Sequence, residues 1–432
     1  MNRYFTTLAL AAIIGLTSQS TYAAKHSFYK DVLPILQENC QECHRKAGAN
    51  FGGMVAPMSL TSYEEVRPWS KSIVKQIQSR EMPPWDADAK HLGQFRNERH
   101  LTDEEIQLIS DWVDQGAKRG NPKEGPEPLI FDDFDGWTIG EPDLIVTMPE
   151  AFHVTDDVYD LYTAFTVDLT DAQLPEDTYI TSFQCKPDSK VIHHFNCHLL
   201  SPDKNGTLPP APTSAESSAI SPVGAGNYLG GISSGSDPVV WPEGFGIPIK
   251  KGTRVTFDIH YHKEPGPGTG VMDQSQIGFI LSKEKPTRVM GGAAPLMHFN
   301  IDIKPGDPNY KIGPISQTIM KDIDVVSLMP HMHMRGKSAL FEAFYPDGTS
   351  EELLRVPVYD FAWQTVYYYD QLKRIPKGTR IEYTAWYDNS AEFAEKRGFD
   401  PEQAVTFGQR SSDEMMMGFL MSAAALPDGQ TD

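Results

Sequence analysis

The sequence predicts a multidomain chain in which a small all-α domain precedes two antiparallel β-sandwich domains. Three observations predict this. The 432 residues are enough for two or three separately cored domains. Helical periodicity is confined to the first part of the chain. After about residue 140 it gives way to many short β-rich runs between turn clusters, in a chain with 33 prolines and 34 glycines.

The chain opens with "MNRYFTTLALAAIIGLTSQSTYA", one positive charge followed by an apolar run Leu8–Leu16 and then small and polar residues. This reads as an export signal over residues 1–23 with cleavage after Ala23, placing the mature protein in the periplasm or outside the cell. The run is shorter than the roughly 20 apolar residues a membrane span needs, so no stable membrane insertion is expected. The formal net charge of −20 argues against nucleic acid as a partner, because phosphate contacts need clustered Lys and Arg.

Residues 25–120 form the predicted all-α domain. "FYKDVLPILQENC" and "SYEEVRPWSKSIVKQIQSR" read as helices. "LTDEEIQLISDWVDQG" begins with a capping box from Thr102 to Glu105, carries Ile106, Ile109 and Val113 on one face, and stops at Gly116. Between them "CQECH" sets Cys40 and Cys43 three apart with His44 next. That is the attachment pattern of a c-type haem: two thiols add to the vinyl groups and the adjacent imidazole ligates the iron. A redox dithiol or half a zinc site is the alternative for a lone C-x-x-C. A cytochrome c-like domain is therefore expected, with Met82 of "REMPPWDAD" as the sixth ligand and Met54 and Met58 as its competitors. His26, His91 and His100 read as solvent-facing. The Pro-, Gly- and acid-rich stretch 121–141 reads as a linker.

The two sandwiches are expected at 142–290 and 291–432. Three histidine groups fall on their strands: His193, His194 and His198 in "IHHFNCHLL", His260 and His262 in "FDIHYHKE", and His331 and His333 in "PHMHMRGK". Residues i and i+2 on a strand share a face, so His331 and His333 can both reach one ion. Neutral imidazoles suit Cu, Zn, Fe or Ni, and an added thioether selects for copper. Adjacent His193 and His194 face opposite ways on a regular strand and can share an ion only at a bulge or twist. Spacing alone therefore leaves His198 and His262 as competing ligands. Cys185 and Cys197 flank the turn "KPDSK" at unequal distances, which leaves a disulfide between them open.

As a set, "HHF", "HYHKEPGPGTGVMDQSQIGF", "PHMHMRGK" and "SSDEMMMGFLM" resemble the copper type II, ascorbate-dependent monooxygenases, the peptidylglycine α-hydroxylating and dopamine β-hydroxylating enzymes. The likeness spans about residues 140–425, and the fused haem segment resembles bacterial members. The resemblance implies two copper ions and one covalent haem c. A first copper would be held by His193, His194 and His260, and a second, which meets O₂, by His331, His333 and Met415. It singles out Met415 from Met416, Met417 and Met421. The peptide-hydroxylating relatives grip a carboxylate with an Arg, an Asn and a Tyr where this chain has Met329, Met417 and Phe419, so an apolar small molecule is the expected substrate. Arg335 stands nearby as a possible anion partner. The implied activity is O₂-dependent hydroxylation of a C–H bond, with electrons from a reductant or redox protein entering through the haem. A non-catalytic haem and copper electron carrier is the alternative.

Overall fold

The computed structural model describes residues 26–45, 56, 58–131, 136–210, 228–233, 239–291 and 294–424. The expected signal segment 1–23 and Met54 lie outside them.

Most of the described chain is strand. One four-stranded antiparallel sheet runs Asp160–Asp168, Arg254–His262, Ile192–Leu200, Tyr228–Ser233 in spatial order. A six-stranded sheet, built on Leu144–Thr147, Gln276–Ser282, Thr178–Lys186 and Phe245–Ile249, shares an apolar cluster with it. The period of two explains how one strand serves two purposes. Phe195, Cys197 and Leu199 enter the cluster, and His194, Asn196 and His198 therefore point from the other face. Cys185 and Cys197 are both free thiols buried in this cluster.

Downstream, one sheet orders as Ala294–His298, Met416–Ala424, Ile323–His331, Tyr367–Ile375. Another orders as Tyr310–Thr318, Arg380–Tyr387, Gly336–Phe344, Ser350–Val356. Their common cluster holds Val325, Leu328, Met416, Phe341 and Tyr383. Gly418 makes this packing possible, since a Cβ there would stand 2.6 Å from the Tyr383 ring. The burial is nearly continuous along Ile323–His331, as expected of a strand covered on both faces.

These observations correct the expected fold class of a small all-α cytochrome c domain followed by two antiparallel β-sandwich domains. The described residues form several small sheets of two to six strands, and no large all-α domain stands beside them. The longest helix, Asp103–Asp114, has 12 residues. It carries the capping box at Thr102 and Glu105 and packs with short helical pieces around Phe28, Leu36, Ile109 and Trp112. The two halves adjoin: Val326, Tyr368, Met421 and Ala423 pack into the same apolar cluster as Phe195 and Phe279, beside the cluster of the downstream sheets. Periodicity reports the local element and cannot report which elements share a core.

The stretch between the helices shows the same thing. Residues 85–99 dock onto the sheets. Phe95 pairs with Tyr369 as an isolated bridge, the Arg96 amide donates to the Tyr368 carbonyl at 2.9 Å, and Asn97 bonds the backbone of Val366 and Tyr368. His91, read as solvent-facing, is instead buried, its Nε2 accepting the Arg355 amide at 3.1 Å. Trp85 packs edge-on against Tyr367, their ring centroids 5.0 Å apart.

Asp86 lies at this junction and accepts the backbone N–H of Asp360. Burial, and then the neighbouring Asp360 carboxylate, push its carboxyl up to about 7. A carboxyl raised in the folded state stabilises most below its unfolded value of about 4, and that contribution is lost as pH rises through its folded value. Asp86→Asn should therefore gain melting temperature relative to the native protein as pH rises from about 5 to about 8. Parallel melting curves for the two proteins across that range would refute this account of the junction.

Candidate metal centre

The histidines meet along one seam. His194 and His260 are direct cross-strand partners, and the ladder between their strands skips from Ile192 to His194, leaving His193 in a bulge. This is the irregularity that adjacent histidines need in order to face one ion. Ligand-capable atoms of His193, His194 and His260 all lie within 4.8 Å of one another. The Nδ1 atoms of His193 and His194 are 3.5 Å apart, and those of His260 and His194 are 3.4 Å apart.

The tautomer of His260 follows from what its other nitrogen touches. Nε2 faces the Asp160 carboxylate, an acceptor, so the proton sits on Nε2 and Nδ1 is bare toward His193 and His194. The Tyr162 ring stacks on His260 at 3.9 Å and 10°, which fixes its plane. Burial pushes Asp160 upward, but hydrogen bonds from His260 and His262 outweigh it and hold the carboxylate well below its usual range. Desolvation, followed by the neighbouring His260, brings His193 down to about 3 and holds His194 far below the usual imidazole value. These rings are neutral near pH 7, the form that binds a metal.

His331 ends its strand and His333 follows it, their ring centroids 5.3 Å apart and their planes at 89°. Met332 between them turns the other way into the downstream core. His333 Nδ1 lies 3.2 Å from the Asp413 carbonyl, which can only accept, so Nε2 is its bare nitrogen. His331 Nδ1 meets Gln364 Oε1 at 2.8 Å and is read in the same way. Burial brings His331 down to about 4 and His333 well below the usual range. The first trio thus turns Nδ1 atoms inward, and the second pair offers Nε2.

Met415 is buried immediately before the strand Met416–Ala424, its carbonyl accepting from the Tyr387 hydroxyl at 2.8 Å. Period-two alternation sorts the methionine run. Met416 and Leu420 enter the core, so Met415, Met417 and Phe419 share the opposite face. Met417 is the direct cross-strand partner of His331, and Phe419 of Met329. Glu414 holds the two segments together, accepting the His333 amide at 2.8 Å and the Arg335 amide at 2.6 Å.

The two histidine groups adjoin. Phe361 stacks on His193 at 4.8 Å and meets His333 edge-on at 5.7 Å. Asp160 reaches across as well, its Oδ2 accepting the Ser411 amide at 2.9 Å. A small apolar pocket of about 30 Å³ lies near the second histidine pair, lined by Tyr228, Gly230, Gly231, Met329, Tyr368 and Phe419. Arg335 is not available to it. The guanidinium is fully buried and donates to Asn389, Ser412 and Asp400.

Of the competing ligands, His262 joins Asp160 and His260 in a second candidate group, and His198 lies in neither, with Asp258 3.5 Å from its Nε2. In the helical segment Cys40 ends the helix Leu33–Asn39, and the amides of Cys43 and His44 both fold back to its carbonyl. Burial, then Cys43, raises the Cys40 thiol to about 12, unlike the low-pKa thiolate of a redox dithiol. His44 Nδ1 lies 3.2 Å from the Met58 carbonyl, which leaves Nε2 as its bare nitrogen. Met58 and Cys40 pack against the helical cluster, whereas Met82 is tied by its amide to the Gln76 carbonyl.

No protein family and no curated protein matches the chain. Solved structures similar to it include that of Broad Bean Stain Virus, at TM-score 0.30 and 9% identity over 70% of this chain and 96% of that one. The major capsid protein P2 from bacteriophage PM2 follows at TM-score 0.26 and 8% identity over 67% and 100%. PNGF-II has TM-score 0.26 and 8% identity over 78% and 72%. Likenesses at these TM-scores carry no argument about fold or function.

Sequence reasoning missed Asp160, Phe361, Gln364 and Glu414. The first three sit far along the chain from the histidines they touch, without a local motif. Glu414 stands inside "SSDEM", where the context marked Met415 alone. Glu414→Ala would strand two buried N–H groups at a cost of about 2–6 kcal/mol. Chemical denaturation of the metal-free protein measures it, and a loss under about 1 kcal/mol would show that Glu414 does not hold these segments.

Proposed function

We propose that this chain is an exported copper-dependent monooxygenase of the type II, ascorbate-dependent kind, which hydroxylates a C–H bond of an apolar small molecule with O₂. In this reading His193, His194 and His260 hold one copper, His331, His333 and Met415 hold a second, and Cys40, Cys43 and His44 carry a haem c with Met82 as its sixth ligand. The observation that supports the proposal is the seam itself: two adjoining sets of imidazoles from two sheets, with Met415 entering the strand that pairs with His331 and a small apolar pocket nearby. The donor chemistry fits copper, since bare imidazole nitrogens accompany a thioether in the second set and imidazoles alone form the first. His44, with Nδ1 tied to a carbonyl, fits an axial ligand in the same way.

When bound, copper supplies one-electron redox chemistry with dioxygen, and a covalent haem supplies a route by which electrons enter. The chain's own residues do the rest. Gln364 and the Asp413 carbonyl hold the protons of His331 and His333 on Nδ1 and so orient Nε2. Met329 and Phe419 offer a substrate no cation and no hydrogen-bond fork, which supports an apolar body in the pocket. The buried walls around His333 and Met415 exclude water from the reacting face.

The test is oxygen uptake by the copper-loaded protein with a reductant, across a panel of aromatic and aliphatic compounds. Uptake should rise with at least one compound and match the hydroxylated product, and Met415→Ala should lower it by at least about 100-fold. Equal uptake with and without every compound would favour the alternative of a non-catalytic electron carrier.

A further inference from the structure

Asp160 touches both halves of the seam through hydrogen bonds, where Phe361 does so only by ring packing. Oδ1 faces His260 Nε2 and lies 3.3 Å from His262 Nδ1. Oδ2 accepts the backbone N–H of Ser411 at 2.9 Å, from a residue 251 positions away. Ser411 is itself buried and starts the turn that runs through Asp413 and Glu414 into Met415. Both histidines thus meet Oδ1, the Ser411 amide meets Oδ2, and the Ser411 hydroxyl adds a longer contact to Oδ1 at 3.4 Å. A carboxylate can do this because all its lone pairs accept, whereas an amide offers one oxygen and two N–H groups.

We infer that Asp160 is a positioning residue that joins the two ligand sets, holding His260 with Nδ1 bare toward His193 and His194 while anchoring the 411–415 segment that presents Met415. This rests on the ligand sets proposed above. Its consequence is coupling: filling the first set immobilises the imidazole whose far side grips the carboxylate, and the carboxylate in turn grips the loop of the second set. His262 shares Oδ1 and braces the carboxylate, with Tyr159 edge-on to its ring at 4.9 Å.

The arrangement can be tested without metal. In the full-length metal-free protein labelled with ¹⁵N-histidine, His260 should carry its proton on Nε2; a proton on Nδ1 would overturn the inference. Asp160→Asn separates the two duties, because an amide oxygen set toward His260 turns the NH₂ onto the Ser411 N–H, and the flipped amide turns it onto the His260 Nε2 side. Amide hydrogen exchange over residues 409–415 should then speed up by about tenfold or more, or the His260 tautomer should mix. Ser411→Ala, which keeps the backbone N–H and loses only the longer hydroxyl contact to Oδ1, should leave the His260 tautomer unmixed and speed exchange by less than Asp160→Asn. Native exchange and an unmixed tautomer in Asp160→Asn would also overturn it.

Titration with copper salt supplies the coupling readout. Copper in the first set should slow exchange at 409–415 in the native protein and not in Asp160→Asn, where affinity for that copper should fall about 10–100-fold. One whole copper equivalent missing from both Asp160→Asn and His262→Ala would make Asp160 a direct ligand of its own ion, contrary to the inference. If the native protein takes up no copper, the proposed function fails, while the tautomer and metal-free exchange results still decide the role of Asp160.

Discussion

Imidazoles from His194, His260, His331 and His333 are buried along one seam, with half-buried His193 at its margin, and this concentration of polar rings out of water is what the surrounding structure is arranged to support. A neutral imidazole needs an acceptor for its N–H, and burial without one costs several kcal/mol, on the order of 2–7 in an apolar medium. The chain supplies that acceptor for three of the rings. His260 has the Asp160 carboxylate, His331 has Gln364, and His333 has the Asp413 carbonyl. What remains after each pairing is one bare nitrogen per ring, and these nitrogens face inward. The protein has settled which nitrogen is free before any ligand arrives.

Sheets covered on both faces make such a seam possible. In Ile192–Leu200 one face supplies Phe195, Cys197 and Leu199 to the upstream core, which frees the other face to carry histidines. In Met416–Ala424 the same alternation sends Met416 and Leu420 inward and leaves Met417 and Phe419 opposite His331 and Met329. A one-residue slip in either strand would exchange its two faces and turn its own contribution, His194 in one and the Met415 end in the other, away from the seam. The downstream core therefore guards the register: Gly418 under the Tyr383 ring has no room for a side chain, so a slipped strand would drive one into that ring.

Much of the site could be read from the chain because its donors are local. "IHHFNCHLL", "FDIHYHKE" and "PHMHMRGK" each announce themselves, and a bulge was the geometric condition for pairing His193 with His194. The partners that set tautomers could not be read, since Asp160 lies 100 residues before His260 and Gln364 lies 33 after His331. The fold was legible element by element and misjudged as a whole. The capping box and the strand runs stand where the pattern puts them, whereas the large all-α domain does not. Docking of 85–99 and the sharing of Val326, Tyr368 and Met421 with the upstream core are long-range packing choices, and periodicity is blind to these.

That docking also changes how the helical segment relates to the histidines. The stretch 121–141 had the composition of a flexible tether, which would leave the segment at an effective concentration set by linker length. The structure makes its connection upstream of that stretch and through packed contacts. Trp85 lies against Tyr367, and the Tyr367 hydroxyl bonds the backbone of Asp86. Asp86 takes the amide of Asp360, whose ion pair with Arg397 pins that turn. The next residue, Phe361, lies on the His193 ring. From Met82 to the first ligand set the chain thus offers two prolines, an anchored tryptophan and a stacked phenylalanine in place of a loose linker. The position of the helical segment against the sheets therefore depends on the packed junction at Trp85 and Asp86.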